Sequence, residues 1–359
     1  MVRYAIGCMT GTSLDGLDAV LVEAEGEGLG LRVRVVDHAS ADLGTIGAGL
    51  RALCEGEPTS AHGFARLATE LGALHASVVG GMLDRTGVVP SVCALPGQTV
   101  VHAPPISMQM IDPWPVALRL GCPVVHDLRG ADVAAGGQGA PITPIADWVL
   151  FRSEDEGRVI VNLGGFCNVT TLPAACTPDG VGGFDVCACN QLLDACARVG
   201  LGRAYDEGGE AGLGGTPEPT VVDELLERLR AQSVGGRSLG SGDALAGWAE
   251  ARAAMDGPDL VASAACAVGT MIGERVRAHG SIVLAGGGSL NAALVRAIEA
   301  VAGPTVTTAV FGVGVQQREA ACVAVLGLLA LDGVVYTRGS ITGRERELRC
   351  EGSWIGVRP

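Results

Sequence analysis

The chain of 359 residues has no lysine, and all 25 of its basic residues are arginine. A P-loop lysine, a Schiff-base lysine and a pyridoxal-phosphate lysine are thereby excluded. Aromatic residues are scarce at 3 % and charged residues few at 18 %. Basic residues are outnumbered by 39 acidic ones, and the net charge of −14 argues against broad binding to nucleic acid or acidic membranes. No apolar run reaches the roughly 18 residues that would span a bilayer. Zinc-type spacing is missing as well. The one close pair among the twelve cysteines is Cys187 and Cys189, separated by a single residue rather than by two. Small, buried, reduced thiols are expected instead. The first residues, MVRYAIGCMTGTSLDG, reach glycine and polar side chains too soon for a secretion signal, so the expected location is cytoplasmic.

Apolar residues make up 48 % of the chain, ample for a sizeable core. At roughly 150 residues per domain the length suggests two domains. The 55 glycines show no collagen period and gather at the ends of apolar runs, where turns and ligand loops occur. Residues 2–7 and 17–23 read as two strands around a turn rich in glycine and hydroxyls, a hairpin. A similar unit follows in the second half. There a strand over 158–163, the turn Gly164-Gly165-Phe166-Cys167-Asn168 and a return strand over 169–172 suggest internal duplication. Helical spacing appears over 59–84, 114–120, 191–199 with Asn190 as N-cap, 259–279, 291–301 and 317–331. The Gly/Pro loop over 132–144 reads as the domain hinge, and 208–219 as a long loop. Strands alternating with helices indicate an α/β protein of two halves with a cleft between them.

Several residues can carry chemistry. Gly11-Thr12-Ser13-Leu14-Asp15-Gly16 offers backbone amides and two hydroxyls, enough to wrap phosphate oxygens without lysine. Asp15 or Asp18 suits Mg2+, directly or through water. Gly164, Gly165 and Asn168 form a second such turn. Gly286-Gly287-Gly288 lies between a strand and a helix, where missing Cβ atoms admit a phosphate or a flat ring. Asp185 follows Gly182-Gly183-Phe184 on a turn that suits a general base. Glu319 begins the last apolar helix. His102 and His126 have no ligand spacing and read as structural.

Together these motifs resemble the anhydro-N-acetylmuramic acid kinase family. The resemblance runs along the chain in order: Met9 to Asp18, Gly97-Gln98-Thr99 with His102, Asp127, and Asp132 to Pro141. It continues through Asn162 to Val169, Phe184-Asp185 with Asn190, Gly286-Gly287-Gly288 and Glu319-Ala320. It implies two RNase-H-like domains of the actin-like ATPase type closing over ATP and Mg2+, with residues 1–131 plus 336–359 in one and 132–335 in the other. The implied reaction phosphorylates O6 of a 1,6-anhydro sugar and opens the anhydro bridge with water at C1, in the recycling of cell-wall fragments. A homodimer is implied too. By position in the motifs, Asp185 is the base and Glu319 its acidic partner. Gly11, Thr12, Ser13, Asp15, Gly16, Asp18, Asn162, Gly164, Gly165, Asn168, Gly286, Gly287 and Gly288 would hold the nucleotide. Asp15 would reach Mg2+, and Gln98, Thr99, Asp127 and Gln138 would hold the sugar.

Three departures from the family pattern fall on the sugar side. Val186-Cys187-Ala188-Cys189 stands where a small residue and then Gly-Pro-Gly are usual, so the backbone beside the base must differ or be strained. Pro96 replaces a histidine. Asp112 replaces an asparagine and adds negative charge. The expectation is retained ATP binding with shifted sugar specificity or weakened catalysis. The alternatives are a kinase for another anhydro sugar, such as levoglucosan, or a catalytically silent ATP-binding sensor.

Overall fold

The computed structural model describes all residues except 12, 13, 15, 233–238, 240–244 and 357–359. The strands are, in chain order, β1 (Val2–Thr10), β2 (Leu17–Glu25), β3 (Arg32–Ala41), β4 (Val92–Leu95), β5 (Gln98–Ala103), β6 (Ile106–Met110) and β7 (Val124–His126). They continue with β8 (Arg158–Leu163), β9 (Phe166–Leu172), β10 (Gly182–Ala188), β11 (Ser281–Ala285), β12 (Thr305–Thr307) and β13 (Ser353–Ile355). Two compact units result: Met1–Phe151 with Gln317–Pro359, and Arg152–Gln316.

The first unit is built on the sheet β13-β7-β4-β1-β2-β3. β1, β2 and β3 pair antiparallel, while β4 runs parallel to β1 and β7 parallel to β4. β1 and β2 are apolar through their centres and fully buried there, whereas β3 alternates exposed and half-buried residues, as an edge strand with one covered face does. Helix Ala61–Thr86 opens with Ser60 Oγ accepting from Gly63 N at 3.0 Å and stops at Gly87, whose φ of 67° is the left-handed cap. It buries Leu67, Leu71, His75, Val79 and Met82, one stripe at helical spacing. Helix Arg318–Leu331 is almost wholly buried and packs on β1, β2 and β4. Gly7 makes this possible, because a Cβ there would overlap Ala320 O and Ala324 N.

The second unit is built on the sheet β10-β9-β8-β11-β12. Here too the first three strands are antiparallel, and β11 and β12 run parallel to β8 and β11. Its core lies between this sheet and the helices Asn190–Leu201, Pro219–Gln232 and Gly257–Val276. With β13 and the separate β5–β6 pair set aside, and the remaining strands of each sheet numbered in chain order, both sheets run third-second-first-fourth-fifth. That repeated order is the RNase-H-like arrangement, and it accounts for the two hairpins seen in the sequence.

Some expectations are corrected. The division does not fall at 131/132 and 335/336 but at 151/152 and 316/317. Helix Pro144–Phe151 packs on helix Arg318–Leu331, which lies on the first sheet, so both belong to the first unit. The stretch 132–144 is therefore no hinge between units; it begins within the short helix Gly130–Ala134. Residues 208–219 are not a plain loop either, since they include helix Glu210–Gly214. No disulfide links cysteines among the described residues, and Cys350 is the exposed one.

His75 is buried, with Nδ1 donating to Leu71 O at 2.8 Å, and desolvation lowers its pKa to about 4. Between the ordinary value of about 6.5 and about 4 the unfolded chain binds a proton that the folded chain does not, so this contribution is lost as pH falls. The window is worth about 3 kcal/mol in all. His75→Leu is expected to flatten the decline in unfolding free energy between pH 7 and about pH 4, as read by urea titration. An unchanged slope would show that His75 is not responsible.

Candidate active site

In the second unit the sheet register does the assembling. Ala285 pairs with Asn162, Asn162 with Asn168, and Asn168 with Asp185. Paired residues share a face, so Asn162, Asn168 and Asp185 form one polar row across three strands. The row lies on the face opposite Val161, Leu163, Cys167 and Val169, which fill the helix-covered core. Asn162 is buried, while Asn168 and Asp185 are half-buried. A bulge between Asp185 and Cys187 interrupts the β9–β10 pairing just past the carboxylate. Asp185 Oδ2 accepts from Leu239 N at 2.8 Å.

The run Val186-Cys187-Ala188-Cys189 is not strained into left-handed backbone. Cys187 and Ala188 continue β10, opposite Cys167 and Phe166, and all four side chains of the run are buried. Burial pushes the Cys167 and Cys187 thiols well above their ordinary range, so they are inert packing groups at neutral pH. Asn190 does not cap the helix it was expected to cap. It is the first residue of that helix, and its Nδ2 instead donates to Leu163 O at 3.0 Å. The turn carbonyls of Gly164 and Gly165 accept from Asn190 N at 3.0 Å and Cys189 N at 2.9 Å.

The glycine triplet closes on the same place. Gly286 has φ 80°, and a Cβ there would stand 2.7 Å from Leu163 O and 3.0 Å from Asn162 Oδ1. At Gly288 it would stand 2.7 Å from Asn190 Oδ1. Thus Asn162, Gly164, Gly165, Gly286, Gly288 and Asn190 meet around the carboxyl end of β8. Backbone bared by glycine at this place suits the close approach of a phosphate or a planar ring.

In the first unit Thr12, Ser13 and Asp15 lie outside the described residues. The β1–β2 register runs to Thr10 opposite Leu17, so the turn begins at Gly11, and Leu14 N donates to Gly11 O at 3.1 Å. Leu14 is buried among Leu43, Ile46 and Leu50, which pins the turn to the core. A Cβ on Gly16 would meet Ala41 O at 3.1 Å. Asp18 Oδ1 accepts from Ser40 Oγ at 2.6 Å. Thr10 is 4 % exposed, and its Oγ1 has no partner among the described residues. A buried hydroxyl at the edge of this turn fits a bound oxygen-rich group. Among the described residues no cluster of three His, Cys, Asp or Glu could cage a metal. Mg2+ held by one or two carboxylates and substrate phosphates needs no such cluster.

Gln98 is 1 % exposed; its Nε2 donates to Thr99 O at 3.2 Å, and its Oε1 has no partner among the described residues. Thr99 Oγ1 accepts from Gln109 Nε2 at 3.2 Å. Asp127, with φ 49°, accepts from Gly130 N at 3.2 Å. Gln138 is exposed. Asp112 Oδ1 accepts from Trp114 N at 3.1 Å, at the start of helix Trp114–Leu120, and its Oδ2 accepts from Thr69 Oγ1 at 3.4 Å.

Glu319 is half-buried in the first turn of helix Arg318–Leu331. Its neighbour Arg318 is buried against Asp147, with Nε donating to Oδ1 at 2.8 Å, and the carboxylate holds the guanidinium's pKa above its ordinary value despite burial. Sequence reasoning passed over Arg318, although an arginine inside an apolar helix needs a partner. It also passed over Gln109 and the Leu239 amide, neither of which has a signal in a single sequence.

The chain matches the family model described as anhydro-N-acetylmuramic acid kinase over residues 3–353. It belongs to that family. Curated kinases of this name are similar at full length: 34 % identity with the Salinibacter ruber protein, covering 95 % of this chain and 93 % of that one. The Shewanella frigidimarina protein is 32 % identical over 96 % of each chain. Among solved structures, component A of (R)-2-hydroxyglutaryl-CoA dehydratase from Acidaminococcus fermentans is similar with TM-score 0.47 at 14 % identity, covering 91 % of this chain and 98 % of that one. Family membership makes the chain an ATP-dependent sugar kinase. No helix among the described residues is long and apolar enough to cross a membrane.

Two substitutions test these descriptions. Gly286→Ala, forced into positive φ against Leu163 O, is expected to destabilise the second unit by about 1–3 kcal/mol and to weaken ATP binding at least tenfold. Denaturation and nucleotide titration read the two effects. Asp147→Ala, which leaves a buried guanidinium unpaired, is expected to cost about 3–5 kcal/mol in urea unfolding; a cost under 1 kcal/mol would contradict the buried pair.

Proposed function

We propose that this protein transfers the γ-phosphoryl group of ATP to O6 of 1,6-anhydro-N-acetylmuramic acid and opens the anhydro bridge with water. The product is N-acetylmuramic acid 6-phosphate, and the role is cell-wall recycling. The observation that carries the reading is the row Asn162–Asn168–Asp185, which sets a carboxylate in line with two amide side chains beside the glycine-lined end of β8.

In this reading Asp185 takes a proton from water as the water oxygen bonds to C1, on the face opposite the departing O6. The C1–O6 bond breaks, and O6 bonds to the γ-phosphorus as ADP leaves. The phosphoryl group takes the negative charge of O6, so no carboxylic acid is needed on that side. The Leu239 amide, donating to Oδ2, orients the carboxylate. Glu319 orients sugar and water. Gln98, Thr99, Asp127 and Gln138 hold the sugar. Gly11, Thr12, Ser13 and Gly16, with Asn162, Gly164, Gly165, Asn168 and the triplet Gly286-Gly287-Gly288, hold the nucleotide. Asp18 and Asp15 are the carboxylates that would hold Mg2+, which neutralises phosphate charge when bound. Phosphoryl transfer is mostly positioning and charge stabilisation, which suits a site of amides and hydroxyls with no lysine.

Support for an altered sugar pocket weakens at one point: Cys187 and Ala188 of the Cys-Ala-Cys run pair with β9, and the run holds no left-handed backbone. Asp185→Asn is expected to lower kcat at least a thousandfold on anhydro-N-acetylmuramic acid in an ATP-coupled assay, with ATP affinity within about twofold. Turnover of levoglucosan alone would favour a different anhydro sugar. ATP binding without any turnover, indifferent to Asp185→Asn, would favour the sensor.

A further inference from the structure

The loop that carries Asp127 and Gln138 is fastened by the far end of the chain. Asp132, whose side chain is fully buried, is the centre of the fastening. Its Oδ2 accepts from Gly139 N at 2.8 Å. Its Oδ1 accepts from Thr342 Oγ1 at 2.8 Å and lies 3.2 Å from Arg344 Nε. Thr342 O in turn accepts from Gln138 N at 2.7 Å. Upstream, Tyr336 Oη donates to Leu128 O at 3.0 Å, next to Asp127. Tyr336 N and Thr337 N donate to the buried Glu351 carboxylate, and β13 pairs with β7 just past it. The loop is thus held at Leu128 and again at Asp132, Gln138 and Gly139. The Gln138 side chain stays exposed while its backbone is fixed.

We propose that Asp132, Thr342 and Arg344 form a clasp that pre-sets the sugar-binding loop, and that they are positioning residues for sugar recognition. The inference rests on the reading above, in which Gln138 contacts the sugar. A loop with glycines at 136, 137 and 139 is costly to order. When the clasp orders it during folding, sugar binding does not bear that cost; without the clasp, sugar affinity alone suffers. The clasp is made wholly within the first unit and touches none of the residues assigned to ATP, so the effect should separate by substrate.

The test is steady-state kinetics with anhydro-N-acetylmuramic acid and ATP varied in turn, on the full chain. The variants are Thr342→Val, Arg344→Met, the rescue Thr342→Ser, and Gln138→Ala as a direct-contact control. Thr342→Val keeps the β-branched shape of the side chain and puts a methyl group in place of its hydroxyl. Thr342→Val and Arg344→Met are each expected to raise KM for the sugar about tenfold, with KM for ATP within twofold and kcat changed less than KM. Thr342→Ser is expected to restore the sugar KM. Hydrogen exchange over 133–143 is expected to quicken in Thr342→Val and not in Thr342→Ser. If Gln138→Ala raises the sugar KM but both clasp variants leave it unchanged, the clasp is overturned and the sugar reading of the loop stands. If Gln138→Ala leaves the sugar KM unchanged, the reading of the loop fails and the clasp's role with it. Sugar and ATP KM rising together would show general loosening and overturn the clasp. So would faster exchange with no change in sugar KM.

Discussion

Backbone packed directly on backbone is the constraint on which the rest of this structure depends. At Gly7 the sheet of the first unit meets helix Arg318–Leu331 with no room for a methyl group. The helix therefore lies flush on β1, which fixes where its first turn ends and where Glu319 sits. In the second unit Gly286 and Gly288 stand against Leu163 O and Asn190 in the same way. The abundance of glycine is thus no sign of looseness. At these positions it lets structural layers approach, and it places polar side chains beside backbone peptide groups.

The absence of lysine shapes the chemistry that such packing can support. A lysine ammonium is a mobile point charge, whereas peptide N–H groups and asparagine amides are fixed dipoles. The site is accordingly built from register. Antiparallel pairing across β8, β9 and β10 aligns Asn162, Asn168 and Asp185 on one face, and a bulge ends the alignment just past Asp185. The buried Arg318–Asp147 pair serves the first unit similarly. It places a cation at a helix N-terminus, where the macrodipole opposes it, and only the buried carboxylate makes this tolerable.

Legibility in the sequence followed the range of the forces involved. The two hairpins and the long helices were readable because periodicity and glycine turns are local. β3 carried a period-two pattern over Arg32–Ala41 and went unassigned, since an edge strand with many polar residues resembles a loop. The role of Asn190 was misjudged because its side chain serves Leu163 O, 27 residues away, instead of the helix it begins. The Cys-Ala-Cys run looked strained against a Gly-Pro-Gly pattern. Its relief comes from burial and pairing with β9, which are tertiary facts.

By itself the sequence determined the α/β class, the duplicated hairpins, the family motifs and the identity of the chemical groups, because these depend on residue type and short spacing. The tertiary structure alone decided which unit helices Pro144–Phe151 and Arg318–Leu331 join, since their apolar faces suit either side until packed. It also decided that the end of the chain returns to hold Asp132 and Gln138, as contacts between residues some 200 positions apart leave no periodic trace. Strand register decided which polar side chains share a face: a shift of one residue would turn Asp185 into the core.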